Sequence, residues 1–197
     1  LDVGPPLARN AVGQVLFWGA FVFWLLHTPG RRRPREAGET NRDRGSMRLL
    51  LASLGSGVGV AFLAEVAFDG LRIGGDWRVP LVLGLLSMYG GLSLGEWAAR
   101  TLGRFYRPRV TIHEGHHVVT RGPYRLIRHP VYAGGILTMV GIGLCLGNWI
   151  SVAVCLAASL LGYLNRIHVE ERALEAALGQ PYLDYERRTK RLVPGIW

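Results

Sequence analysis

The sequence predicts an all-α integral membrane protein with five transmembrane helices, the last two forming a tight helical hairpin, and a cytosolic helical tail. Three observations predict it. Long apolar runs alternate with blocks of charge along a 197-residue chain that is 49% hydrophobic and carries a net charge of +9. The arginine-rich blocks fall in alternate loops. The fourth and fifth apolar runs are separated only by Gly147-Asn148.

The first span is predicted from about Ala11 to Leu26 and ends before Arg31-Arg-Arg33, which reads as a stop-transfer anchor. It holds Phe17, Trp18, Phe21, Phe23 and Trp24 and lacks a small-x-small cleavage site, so it does not read as a signal peptide. The chain begins at Leu1 rather than methionine, which agrees with a trimmed start. The second span runs from about Met47 to Phe68 and the third from about Val79 to Ala99. The fourth covers about Val131 to Leu146, and the fifth starts near Trp149 and passes Leu164. The first, fourth and fifth apolar runs are short against the usual ~20 residues. Good helix formers from Glu170 to Leu178 extend the fifth helix beyond the membrane until Gly179 stops it. A short amphipathic piece opens at Gln180, and Ile196 and Trp197 suit an interface anchor.

Loop charge sets the orientation. The loop from Arg31 to Arg48 holds seven arginines, and the segment from Arg100 to Arg128 holds seven more. The tail after Leu164 is also basic, whereas the Asp69–Arg78 loop balances two arginines with two aspartates and the N-terminus has only Arg9. Five spans then put the N-terminus outside and the C-terminus in the cytosol. The chain divides into a three-span scaffold over residues 1–100 and a ligand-binding part over 101–197. Interruption of the basic charge by apolar runs argues against nucleic acid, which needs a continuous basic surface.

Several features read as structure. Cys145 and Cys155 lie in apolar surroundings and read as reduced, buried small hydrophobes. Gly55-Ser-Gly57-Val-Gly59 resembles a phosphate loop but sits inside a span with no preceding strand, so helix packing is expected there and at Gly91 and Gly95. Glu65 and Glu96 lie near span ends, where an interface position or a local ion pair explains them. His113, His116 and His117 do not converge by a metal-ligand spacing, and no metal is expected.

Two polar clusters carry the chemistry. Arg121 to Gly134 crowds three arginines, His129, two tyrosines, two prolines and two glycines against the start of the fourth span. Asn165-Arg-Ile-His-Val-Glu-Glu-Arg172 follows the hairpin, with Arg166 and Glu170 four apart on one helix face. Both clusters fall on the cytosolic side. A basic membrane-edge anchor, with Pro130 in the first turn of a helix, accounts for Arg128 and Pro130 but not for His129, Tyr132 or the Gly122-Pro123 turn.

The pattern His116-x-Val-Val-x-x-Gly-Pro-Tyr-x-x-x-Arg-His-Pro-x-Tyr-x-Gly134, followed by Glu170-Glu171 and Leu178-Gly-x-x-Tyr-x-x-Tyr185, resembles the isoprenylcysteine carboxyl methyltransferases and their phospholipid methyltransferase relatives. The resemblance covers roughly residues 113–194. It implies a cytosol-facing pocket for S-adenosyl-L-methionine lined by His116, His117, Val118, Val119, Tyr124, His129, Pro130, Val131 and Tyr132, with Glu170 as a further cofactor contact. Arg166 then orients the substrate, and Arg166 and Glu170 form the catalytic pair. Arg109 falls where animal enzymes of the family carry a glutamine, and it is left out of the site.

The chemistry suits these roles. His116 can donate to the cofactor carboxylate and Glu170 can accept from its ammonium or ribose. Tyr124 and Tyr132 can pack on adenine or face the sulfonium. The expected reaction is methyl transfer to a lipophilic substrate entering from the bilayer, foremost carboxyl O-methylation of an isoprenylcysteine-like molecule. A phospholipid amine N-methyltransferase is the alternative within the class, with Glu171 or His168 as base. From other classes come an NADPH-dependent sterol-type reductase, using Arg187, Arg188 and Arg191 for the extra phosphate, and a scaffold without catalysis. Expected partners are the lipophilic substrate and membrane lipids.

Overall fold

The computed structural model describes residues 6–26, 40–107, 109–112 and 115–197. Arg31-Arg-Arg33 and His113 lie outside the described residues. Among the described residues six α-helices follow in order: α1 (Ala11–Leu26), α2 (Ser46–Ala67), α3 (Arg78–Leu102), α4 (Pro130–Leu146), α5 (Trp149–Leu178) and α6 (Gln180–Arg188). Two short strands, β1 (Thr40–Asn41) and β2 (Thr111–Ile112), pair antiparallel on the side of the molecule that carries the polar clusters.

Among the described residues three helices, α2, α3 and α5, are long and apolar enough to cross a bilayer, while α1 and α4 are shorter apolar helices. Their outward faces present Val15, Leu63, Val66 and Leu86 as exposed apolar side chains, as a lipid-facing surface requires. Inside, Phe17, Met88, Met139, Ile142, Cys145, Cys155 and Tyr163 build the core. Both cysteines are free and buried, as expected.

Small residues let the helices approach closely, since association inside a bilayer depends on packing rather than on a hydrophobic drive. A methyl group on Gly91 of α3 would collide with the Gly134 carbonyl of α4 and stand 2.6 Å from Thr138 Oγ1. One on Gly84 would stand 2.6 Å from Cys145 Sγ, and one on Gly57 of α2 would meet Ala158 of α5. The neighbours of Gly57 in the 55–59 run, Gly55 and Gly59, do not share this role: a Cβ at either meets nothing within 4 Å. α5 is held to α2 by Ser151 Oγ, which donates to Ala61 O at 2.7 Å.

α4 and α5 are joined by Gly147, at φ +70°, and Asn148, whose side chain accepts from Ile150 N–H and donates to Phe68 O at 2.9 Å. Asn148 is wholly buried, so these bonds satisfy an amide that burial would otherwise leave costly. The same end holds an ion cluster in which Arg72 reaches Glu65 at 3.2 Å and Asp69 at 2.7 Å. Glu96 pairs with Arg100 one turn on at 2.6 Å. α5 runs unbroken to Leu178, and Gly179 at φ +59° turns the chain into α6.

Candidate active site

The tail is fastened onto the segment that precedes α4. Arg128 N–H donates to Lys190 O at 2.7 Å and His129 N–H to Arg191 O at 3.0 Å. The Arg128 guanidinium reaches Thr189 O at 2.6 Å and Glu186 O at 3.0 Å. Tyr185 OH donates to Tyr124 O at 2.8 Å. At the centre of this junction lies Glu171, a buried carboxylate that accepts from Arg128 Nε at 3.0 Å, His129 Nε2 at 3.2 Å and Arg191 Nη2 at 2.8 Å. Arg128 is therefore an internal fastener rather than an exposed membrane-edge anchor.

Facing inward, α5 carries Arg166 and Glu170, five residues and one residue before Glu171. The Tyr132 hydroxyl, on the first turn of α4, donates to Glu170 and accepts from Arg166 Nε at 3.0 Å. His129 stacks on Tyr132 with ring centroids 5.4 Å apart, and Tyr163 also stacks on Tyr132, at 5.2 Å. Pro130 fixes the first turn of α4 and so aims His129 and Tyr132 together.

These groups open on one cavity of about 410 Å³. His116, His117, Val118, Val119, Tyr124, His129, Val131, Tyr132, Arg166 and Glu170 all line it. Pro130, expected among the lining residues, is not one of them; its contribution is the helix start. His116 stacks on Phe105 at 4.6 Å and His117 meets the same ring edge-on at 4.9 Å. Burial pushes the Tyr106 phenol up to about 12 and the Tyr124 phenol higher still, so both stay neutral donors on the cavity wall.

The cavity has two characters. Its polar end is walled by the residues just named together with Arg107, Arg109, Tyr182 and Tyr185. Its apolar end lies among Phe23 and Trp24 of α1, Leu50, Leu51 and Leu54 of α2, and Leu92 of α3. Arg109, set aside on sequence grounds, is an exposed part of this wall.

Two further residues escaped the sequence reading. Asp43 accepts from Arg166 Nη1 at 2.9 Å, and Ser46 Oγ accepts from the same nitrogen at 3.1 Å. An Asp-x-x-Ser pattern immediately before the second apolar run is a helix-start signal and was the available clue. Of the two bases suggested for an amine acceptor, Glu171 is already engaged by Arg128, His129 and Arg191. His168 is exposed, with Nδ1 at 2.8 Å from Leu164 O.

Several helices long or apolar enough for a bilayer and one cavity running from apolar helix faces to a polar chamber define a multi-pass membrane protein with an internal ligand site. A profile of the isoprenylcysteine carboxyl methyltransferase family matches residues 83–176. Two proteins of Arabidopsis thaliana, protein-S-isoprenylcysteine O-methyltransferases B and A, are 32% and 34% identical to the chain; each match covers 68% of this chain and 68% of the relative. The cobalt-zinc-cadmium resistance protein CzcN of Cupriavidus metallidurans is 33% identical over 68% of this chain and 59% of its own length. The structure of the eukaryotic intramembrane Ras methyltransferase superposes with a TM-score of 0.66 at 20% identity, covering 100% of this chain and 70% of that one, a likeness of fold. The chain belongs to the isoprenylcysteine carboxyl methyltransferase family, in agreement with the resemblance carried by its motifs.

Proposed function

We propose that this protein transfers a methyl group from S-adenosyl-L-methionine to the carboxylate of an isoprenylcysteine-like lipid that enters from the bilayer. The observation that carries this reading is the cavity itself, whose apolar end among α1, α2 and α3 is continuous with the polar end at Arg166, Glu170 and Tyr132. A long hydrocarbon chain fits the first end and a charged headgroup with a polar cofactor fits the second.

The residues present suit the cofactor by their chemistry. Glu170 provides a carboxylate for an ammonium or a ribose, His116 and His117 provide imidazole donors, and the main chain at Val118 and Val119 presents an edge for adenine. Tyr124, Tyr132 and His129 supply the aromatic wall. When bound, S-adenosyl-L-methionine supplies an electrophilic methyl on a sulfonium. Arg166 holds the acceptor carboxylate by charge-assisted hydrogen bonds and directs one oxygen at that methyl. The acceptor is already an anion, so no wall residue has to take a proton. The buried surroundings of Arg166 exclude water, which favours neutralisation of opposite charges. Positioning then contributes most of the rate.

The same reading gives five spans with α4 and α5 as a hairpin, an outside N-terminus, and a cytosolic site and tail. It divides the chain into a three-span scaffold over residues 1–100 and a catalytic part over 101–197. An amine acceptor is less well served, because Glu171 is already bound by two arginines and His129. Of the three arginines named for a dinucleotide phosphate, Arg191 is engaged by Glu171 and Arg187 pairs with Asp184 at 3.4 Å.

The test is calorimetric titration of the detergent-purified protein with S-adenosyl-L-methionine, its demethylated product and NADPH. It is paired with methyl transfer to an amine-blocked S-isoprenylated cysteine. Binding of the first two ligands with carboxyl methylation supports the reading, and binding of NADPH alone rejects it.

A further inference from the structure

We propose that Asp43 and Ser46, on the segment that leads into α2, are positioning residues that aim the Arg166 guanidinium at the substrate carboxylate. This rests on the role given to Arg166 above. A free arginine side chain carries large rotamer freedom, and a guanidinium grips a carboxylate well only when its plane is set. Here the plane is set from both ends. Nε donates to the Tyr132 hydroxyl at 3.0 Å, while Nη1 donates to Asp43 Oδ1 at 2.9 Å and Ser46 Oγ at 3.1 Å. Asp43 and Arg166 are 123 positions apart in sequence, and both are buried.

Asp43 is itself held firmly. Its N–H donates to Asn41 Oδ1 at 2.9 Å, its Oδ2 accepts from Met47 N–H at 3.2 Å, and its Oδ1 accepts from the Ser46 hydroxyl at 3.0 Å and from Val110 N–H at 3.4 Å. Asn41 belongs to β1 and Val110 immediately precedes β2, so the two-stranded pairing holds the Asp43 backbone through Asn41 and its carboxylate through Val110. Burial alone would raise the Asp43 pKa; the bonds from Met47, Arg166, Ser46 and Val110 outweigh it and hold the group below the ordinary carboxylate range. An ionised partner also offsets the cost of burying the Arg166 cation.

The arrangement has a mechanistic consequence. The carboxylate-orienting arginine on α5 takes its direction from the N-terminal half of the chain, outside both sequence clusters. A reacting atom displaced by about 1 Å loses on the order of a hundredfold in rate. Loss of Asp43 therefore acts on turnover through Arg166, and not on the cofactor end, where Glu170 remains.

The experiment compares full-length wild type with Asp43→Ala, Asp43→Glu, Ser46→Ala, Arg166→Lys and Asp43→Ala/Arg166→Lys. The readouts are kcat and KM for an amine-blocked S-isoprenylated cysteine, calorimetric affinity for S-adenosyl-L-methionine, and calorimetric affinity for the probe and for its carboxamide analogue. Asp43→Ala is expected to lower kcat about ten- to hundredfold, leave cofactor affinity within about twofold, and erase the preference for carboxylate over carboxamide. Ser46→Ala gives a smaller loss of the same kind, and Asp43→Glu recovers part of it. The double variant is no slower than Arg166→Lys alone, because both changes act through one guanidinium. Additive losses, or a parallel fall in cofactor affinity, overturn the positioning role while leaving the function reading intact. A wild-type protein that neither binds nor methylates the probe rejects the function reading, and the positioning role with it.

Discussion

Arg128 and Glu171, separated by 43 positions, form a buried ion pair 3.0 Å long that ties the segment before α4 to the middle of α5. The same carboxylate takes His129 at 3.2 Å and Arg191 at 2.8 Å, so one acid joins α5, the start of α4 and the tail. Removing one member of such a cluster leaves charge buried without compensation, which costs about 3–5 kcal/mol. Glu171→Gln is expected to lower the unfolding midpoint in detergent markedly and to expose the tail after Leu178 to protease. A variant of unchanged stability with a protected tail would show that Glu171 does not fasten it.

Glu170 stands one residue away and is expected to behave differently. Its carboxylate lines the cavity, is partly exposed, and is engaged by Tyr132. A hydrogen bond to a charged group contributes about 1.5–3 kcal/mol. Glu170→Gln should therefore weaken S-adenosyl-L-methionine about ten- to hundredfold in calorimetry, with little change in unfolding midpoint. Arg166→Ala should do the reverse at this end, lowering turnover while cofactor affinity stays within about threefold. Normal cofactor binding by Glu170→Gln removes that acid from the cofactor site.

The contrast between these adjacent acids also marks where sequence reading reaches its limit. Helix periodicity puts Arg166 and Glu170 on one face, and the motif spacing brings Tyr132 and His129 to meet them. Periodicity pairs Glu170 with Arg166, but nothing local shows that Glu171 meets Arg128, His129 and Arg191, because that depends on how the tail folds back. Asp43 was hidden for the same reason. Its partner lies on α5, and a basic loop with a helix-start pattern gives no local sign of a long-range ion pair. The helix boundaries were legible because they depend on short-range signals: Gly147, Gly179 and Pro130 each stand where the backbone turns. Glycine packing was legible in part. Gly57 and Gly91 lie in tight contacts, while Gly55 and Gly59 face open space, a distinction of helix rotation that hydropathy does not encode.

That distinction can be measured. Gly91 and Gly95 are one turn apart on α3 and both line the cavity, but only Gly91 lies where a methyl group would collide with Gly134 O and crowd Thr138. Overpacking a tight contact costs about 1–3 kcal/mol, whereas glycine to alanine in an unobstructed helix interior gains about 0.5–1 kcal/mol. Gly91→Ala is expected to lower the unfolding midpoint and Gly95→Ala to hold or raise it. Equal effects from the two would mean that α3 and α4 are not in the described contact.

The acid limit of stability is expected to carry the signature of Asp43. Its folded pKa lies below the ordinary value: burial raises it, and the bonds from Met47, Arg166, Ser46 and Val110 lower it further than burial lifts it. A depressed folded pKa means that the unfolded chain binds the proton more readily. The Asp43 contribution is thus fully present above the unfolded value of about 3.9 and is lost as pH falls through the folded value. Unfolding of wild type and Asp43→Asn, followed in detergent across this range, should differ by a constant amount between about pH 5 and 8, and the gap should close below about pH 4. A gap that instead closes between pH 6 and 8 would place the controlling titration on another group and remove Asp43 as the anionic partner of Arg166.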